Sequence, residues 1–297
     1  KLQKKILNFK PHFVFHLAAQ SLVGESYKNP SMTWKTNVFG TLNVLEALRN
    51  LNHECNAVII TSDKCYLNKE INYGYKETDE LGGKDPYSGS KASAEILIKT
   101  YINSFFSRKN CKVKIAVARA GNVIGGGDWA KDRIVPDCVR AWSKNKKTEL
   151  RNPNATRPWQ HVLEAVGGYL CLAMNLKHNK FLHGESFNFG PKKSKEHSVF
   201  QLVKEMGKHW KNVSWKKASN SKNRFYESEL LRLNCVKAKK FIKWESVLTF
   251  TETIEMVANW YRYYYSNSKN VEKITNYQIK TYEFLAAKRG SKWVKNI

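Results

Sequence analysis

Three short apolar runs, separated by two stretches of helical spacing, constrain this chain more than any other feature. Phe13-Val14-Phe15-His16-Leu17 has the pattern of a buried strand and runs into the small pair Ala18-Ala19. From Asn37 to Leu48 the apolar residues fall at 38, 42, 45 and 48, a helical spacing. Ala57-Val58-Ile59-Ile60 is a second strand. A loop rich in Tyr, Asn and Gly follows, then a helix from about Pro86 to Phe105 and a third strand from Val113 to Ala118. Strand, helix, strand, helix, strand predicts right-handed crossovers and a doubly wound α/β fold with a parallel sheet. Ligands of such sheets bind at the carboxyl ends of the strands. Those ends carry Ala18-Ala19-Gln20, Thr61-Ser62-Asp63-Lys64 and Arg119-Ala120-Gly121-Asn122.

Beyond Gly125-Gly126-Gly127-Asp128-Trp129 the alternation breaks. Residues 1–123 are read as the sheet domain and 124–297 as a smaller mixed α/β substrate lobe, with 159–182 packing back on the sheet. The short run Ser186-Phe187-Asn188-Phe189 is placed in that lobe, and a terminal helix is expected from Val271 onward.

Composition narrows the function. The 297 residues are 42% apolar and 12% aromatic, too rich in such side chains for a disordered polycation. No run approaches the eighteen or so consecutive apolar residues of a membrane span. The N-terminus, Lys1-Leu2-Gln3-Lys4-Lys5, has no apolar signal segment behind it, so a cytoplasmic chain with no membrane partner is expected. The six cysteines stand far apart, which predicts free thiols, a reducing compartment and no metal site. Against 25 acidic residues stand 51 basic ones, a net charge of +26. The excess is mostly lysine, spread through both halves and without a nucleic-acid motif, so it reads as a solvated surface that favours anionic ligands rather than nucleic acid.

Tyr87 and Lys91 stand four apart in Asp85-Pro86-Tyr87-Ser88-Gly89-Ser90-Lys91 at a helix start, so phenol and ammonium share a face. A nearby cation is expected to lower the phenol's pKa, which suits a base acting on a sugar hydroxyl. An isolated Tyr-x-x-x-Lys is more often an exposed pair on an ordinary helix, but the strand ending in Thr61-Ser62-Asp63 precedes it at a fitting distance. Arg133 and Arg157 are candidate phosphate clamps, because a guanidinium donates paired bonds to phosphate. The glycine turn 125–127 fits either a phosphate cradle or a link between lobes. His16 reads as a pocket wall, and Trp260-Tyr261-Arg262-Tyr263-Tyr264-Tyr265 as helix packing.

Seven segments then occur in a familiar order: His16-Leu17-Ala18-Ala19-Gln20, Thr36 to Thr41, Thr61 to Tyr66, Asp85 to Lys91, Gly121 to Trp129, Arg157-Pro158-Trp159-Gln160-His161-Val162, and Leu230 to Asn234 with Lys237-Ala238. On these residues the chain resembles the extended short-chain dehydrogenase/reductases, the NAD-dependent epimerase/dehydratase family with a Rossmann-like fold. The third, fifth and sixth segments resemble its CDP-sugar branch. That resemblance implies NAD as cofactor, CDP-glucose as substrate and a possible homodimer. It implies dehydration by oxidation at carbon 4, loss of water across carbons 5 and 6, and return of the hydride to carbon 6, giving CDP-4-keto-6-deoxyglucose. Carried over by position, Tyr87 is the base at the carbon 4 hydroxyl, Ser62 bonds the carbon 4 oxygen, Asp63 is the acid toward the leaving hydroxyl, and Lys91 holds the nicotinamide ribose. Lys64 stands where many relatives carry a Glu that removes the carbon 5 proton, so it is either a neutral base or a cofactor contact. Leu17, Ala18, Ala19, Gln20, Thr36 and Thr61 are implied to line the cofactor site, and Asn122 to contact the sugar diphosphate.

By the same resemblance, residue 13 already begins the family's fourth strand. The Gly-x-x-Gly-x-x-Gly turn that receives the dinucleotide pyrophosphate is expected upstream of Lys1, and residues 1–297 alone are expected to show little turnover. Other readings are a sugar-nucleotide-binding or scaffolding subunit without catalysis, another NAD-dependent epimerase or dehydratase, and a basic protein that reused the fold at nucleic acid.

Overall fold

The computed structural model describes residues 1–71, 73–108, 110–192, 197–218, 230–266 and 270–296. Four strands, β1 (Phe13–His16), β2 (Cys55–Ile60), β3 (Val113–Ala120) and β4 (Ser186–Phe189), pair in parallel in the order β1-β2-β3-β4. Both faces of the sheet are apolar, which is why it is covered twice. Cys55, Ala57 and Ile59 of β2 and Val113, Ile115 and Val117 of β3 enter one buried cluster. Val58, Ala116 and Ala118 enter another.

Helices α1 (Gly40–Arg49) and α2 (Pro86–Tyr101) cover the first face through Val44, Leu45, Leu48 and Ile98. Helices α3 (Val162–His178) and α4 (Val236–Ile242) cover the second through Ala165, Leu172, Leu176, Ala238 and Ile242. The start of α2 is fixed by Asp85, which accepts the Ser88 N–H at 3.0 Å, with Pro86 in the first turn. The sequence-predicted end near Phe105 falls in a π-helical turn over Ile102–Phe106 that continues α2.

One expectation is corrected. Ser186–Phe189 belongs to the main sheet, not to the second lobe, because it pairs with Val117–Ala120. Helix α3 is the crossover that returns the chain to the sheet, and Phe187 and Phe189 are fully buried beneath it.

The second lobe has its own core. Helices Ile134–Trp142, Val199–Gly207 and Phe250–Ser266 enclose Trp142, Leu150, Met206 and Tyr261. Trp260 stacks on Tyr264 at 5.9 Å, and Trp129 meets Tyr264 at 4.7 Å, so this aromatic run is packing. It also accounts for the glycine turn: a Cβ on Gly126 would stand 2.0 Å from the Trp260 ring, and one on Gly125 2.6 Å from Val162. Helix Val271–Lys288 closes the lobe. All six cysteines are free. Among the described residues no cluster fit for a metal ion occurs, and no helix is long and apolar enough to cross a membrane.

Candidate active site

A cavity of about 680 Å³ opens where β2 and β3 end, between the sheet and the second lobe. Ser62, Asp63, Lys64, Tyr87 and Lys91 all line it, as do Leu17, Ala19, Thr61, Asn122, Arg133 and Arg157. Ala18, Gln20 and Thr36 do not. Ala18 is exposed, and Gln20 is occupied in holding its own loop: its side-chain amide donates to Leu22 O at 3.1 Å and Thr33 Oγ1 at 2.8 Å, and its N–H donates to Asn37 Oδ1 at 2.8 Å. Thr36 bonds back to Met32 Sδ at 3.7 Å.

The end of β2 is shaped by Ser62, whose extended backbone starts a three-residue turn over Asp63–Cys65. Ser62 Oγ accepts the Lys64 N–H at 3.2 Å and donates to Asp63 Oδ1 at 3.0 Å. Burial raises the Asp63 pKa, against the opposing pull of Lys64, Ser62 and Arg157. Its Oδ2 is buried without a hydrogen-bond partner among the described residues.

Helix α2 presents Tyr87 and Lys91 one turn apart. Burial lowers the Lys91 pKa to about 8, with Cys65 and Glu95 opposing. Its ammonium has no hydrogen bond or ion pair among the described residues. The expectation for Tyr87 is reversed. Burial pushes its phenol up to about 12, outweighing the downward pull of Ser62 and Arg133, while Asp63 and Asp85 add to the rise. His16 does not line the cavity: its Nε2 meets Thr41 Oγ1 at 3.2 Å, and burial together with the Lys91 charge lowers its pKa to about 4.

The cavity is basic on balance. Lys28, Lys64, Lys84, Lys91, Lys131, Arg133, Arg151 and Arg157 line it, against Glu25, Asp63, Asp85, Asp128 and Asp132. Arg133 reaches from the lobe to Asp128 Oδ2 at 2.9 Å and to Ser21 Oγ, beyond β1, at 2.8 Å. The Arg157 Nη1 donates to Thr156 O at 2.7 Å. Asn122 has φ 43°, and its Nδ2 is buried without a partner among the described residues.

Sequence reasoning missed the support beneath these groups. Glu95, two turns from Tyr87, receives Arg119 at 2.8 and 2.9 Å and the Thr61 hydroxyl at 2.5 Å. Arg119 also donates to Tyr66 Oη at 2.8 Å, and Tyr66 Oη donates to Asn188 Oδ1 at 2.8 Å. The available signal was an arginine inside the apolar strand Val113 to Ala120. Tyr169 of α3 was missed as well; it lines the cavity, and burial raises its pKa, with Tyr87 and Asp63 adding to the rise.

Residues 1–257 match the sequence model of the family described as GDP-mannose 4,6 dehydratase. The chain is 42% identical over 266 residues to the CDP-glucose 4,6-dehydratase of Salmonella typhimurium, covering 88% of this chain and 74% of that protein. It is 26% identical to human dTDP-D-glucose 4,6-dehydratase, over 89% of this chain and 72% of that protein. The fold is similar to UDP-glucuronic acid 4-epimerase of Bacillus cereus, solved with UDP-glucuronic acid and NAD. The TM-score is 0.75 at 19% identity, covering 88% of this chain and 78% of that one.

Proposed function

The chain belongs to the GDP-mannose 4,6-dehydratase family, and from that premise we propose that it is a nucleotide-sugar 4,6-dehydratase that takes CDP-glucose to CDP-4-keto-6-deoxyglucose with NAD. The observation that most supports this reading is the gathering of Ser62, Asp63, Tyr87 and Lys91 in one cavity at the carboxyl ends of β2 and β3. The 42% identity to a CDP-glucose 4,6-dehydratase supports the choice of substrate.

The residues present fit the nicotinamide end of the cofactor. Lys91 turns an ammonium without an ion pair among the described residues toward the cavity that Leu17, Ala19 and Thr61 also line, a setting suited to ribose hydroxyls. NAD held by Lys91, Leu17, Ala19 and Thr61 would supply the hydride acceptor for carbon 4 and the hydride donor for carbon 6. Tyr87 takes the proton of the carbon 4 hydroxyl, and Ser62 Oγ bonds the same oxygen. The resulting ketone acidifies the proton on carbon 5, which passes to water in the open cavity and is returned to carbon 5 as carbon 6 accepts the hydride. Asp63 gives its proton to the departing carbon 6 hydroxyl, which leaves as water; burial favours the protonated acid that this step needs. Asn122, Arg133 and Arg157 hold the diphosphate, and Lys64 serves the cofactor.

A cytoplasmic homodimer belongs to the same reading. The six free thiols suit a reducing compartment. Met32, Phe39 and Ile96 leave apolar surface exposed on neighbouring helical segments for a second copy. The test is incubation with NAD and CDP-glucose, dTDP-glucose, UDP-glucose or GDP-mannose, with products read by mass spectrometry. Water loss with CDP-glucose preferred is expected. No water loss, or preference for another nucleotide, overturns the assignment.

A further inference from the structure

An acid that must keep its proton until a hydroxyl departs has to be shielded from water, and the shield around Asp63 has an identifiable fastening. The carboxyl rests against Gly121: a Cβ there would stand 2.1 Å from Asp63 Oδ2 and 2.5 Å from its Cγ. Only glycine leaves that space open. Gly121 in turn is held by Gln160, itself buried to 1% exposure. The Gln160 side-chain amide donates to Gly121 O at 3.0 Å and to Phe189 O at 2.8 Å, and its backbone N–H donates to Asn122 O at 3.3 Å. These bonds tie the loop after β3 to the end of β4. Gln160 Oε1 and Asp63 Oδ2 are both buried with no hydrogen-bond partner among the described residues.

We infer that Gln160 is a positioning residue for the Asp63 acid, pinning Gly121–Asn122 so that the loop walls the carboxyl off from water. The inference rests on the dehydratase reading of Asp63. Besides its hydrogen-bonded neighbour Ser62, the charged and titratable groups around that carboxyl are Lys64 and Cys65 on its own turn, Tyr87 on α2, Arg157 on the lobe side and Tyr169 on α3. Lys64 and Arg157 favour the carboxylate; burial opposes them. Loosening the wall admits water and lets the two cations prevail.

Gln160→Met keeps the side-chain length and removes both donors. Its first readout needs no turnover: the Asp63 Cγ resonance in aspartate-labelled protein, assigned with Asp63→Asn and followed through pH. A midpoint lowered by about one pH unit is expected; an unmoved midpoint overturns the inference. Should this variant fail to fold, Gln160→His, which keeps one N–H donor, takes the same titration: a smaller drop is expected, and an unmoved midpoint again overturns the inference. The second readout is a single turnover with CDP-glucose and NAD. Carbon 4 oxidation should be unchanged and water loss slowed roughly tenfold at alkaline pH. Equal slowing of both phases marks a general packing role and overturns the inference. Failure of the unaltered enzyme to dehydrate CDP-glucose rejects the dehydratase reading, and the titration still decides whether Gln160 governs Asp63.

Discussion

Arg119→Met probes the buried pair beneath the site. The guanidinium meets Glu95 at 2.8 and 2.9 Å, and the two side chains are 4% and 3% exposed. Arg119 also donates to Tyr66 Oη at 2.8 Å and to Glu77 O at 3.1 Å. Methionine fills similar volume but leaves the Glu95 carboxylate buried with, among the described residues, hydrogen bonds from only the Thr61 hydroxyl at 2.5 Å and the Ser186 hydroxyl at 3.4 Å. Removing one partner of a buried pair costs about 3–5 kcal/mol, because the stranded charge remains desolvated. For a chain of this size that lowers Tm by roughly 6–20 °C. Adding Glu95→Gln removes the stranded charge and should recover about 1 kcal/mol or more. Urea unfolding of the two single variants and the double variant, read by tryptophan fluorescence, closes the cycle. A single-variant cost below about 1 kcal/mol, or a double variant less stable than Arg119→Met, would refute the reasoning.

Tyr87→Phe is expected to slow carbon 4 oxidation about a hundredfold to ten-thousandfold while leaving CDP-glucose binding intact; an unchanged rise in reduced-cofactor absorbance in a single turnover rejects Tyr87 as the base. Lys64→Met at saturating NAD should leave solvent deuterium exchange at carbon 5 alive, since an ammonium that serves the cofactor needs no proton loss. Complete loss of exchange with normal carbon 4 oxidation assigns Lys64 to the proton instead. Glu164, which accepts the N–H groups of Val247 and Leu248 and the Tyr282 hydroxyl, is pushed by burial from 4.5 to about 7. Its folded pKa lies above its unfolded one, so its contribution is whole below pH 4.5 and is lost as pH rises through 7, about 3 kcal/mol in all. Glu164→Gln should therefore flatten the fall in stability between those pH values, and an equal slope in both proteins rejects the assignment.

The sheet was legible because two periods alternate along the chain. Apolar runs such as Ala57 to Ile60 mark strands, and the spacing of 38, 42, 45 and 48 marks a helix. Ser186–Phe189 was not assigned to the sheet because four residues carry no record of which strand they pair with; the crossover through α3 decides that. Tyr87 and Lys91 were legible because one helical turn joins them. Glu95 with Arg119, and Gln160 with Gly121, lie 24 and 39 residues apart, and no local spacing announces such pairs. The direction of the Tyr87 shift was misread for a related reason: the sequence displays the neighbouring lysine, whereas the shift is set by burial, opposed by Ser62 and Arg133 from distant parts of the chain.

Tyr87, Lys91 and Glu95 fall on one face of α2, at successive turns. The first two meet the cavity, and the third is locked to the sheet through Thr61 and Arg119. The same carboxylate therefore fixes both the helix that carries the phenol and the strand end that carries Ser62. Asp63 stands outside that lock, since its seat is Gly121, held through Gln160 to the carbonyl of Phe189. Both fastenings nevertheless end on β4: the Asn188 side chain accepts the Tyr66 hydroxyl, and the next residue's carbonyl accepts Gln160. A strand of four residues with no side chain in the cavity thus anchors both the segment after β2 and, through Gln160, the loop after β3. Under the proposed dehydratase roles, the distance from Tyr87 to Asp63 must suit the oxygens on carbons 4 and 6 of one sugar, so the buried polar residues of β3 and β4 would bear on that chemistry without touching the substrate.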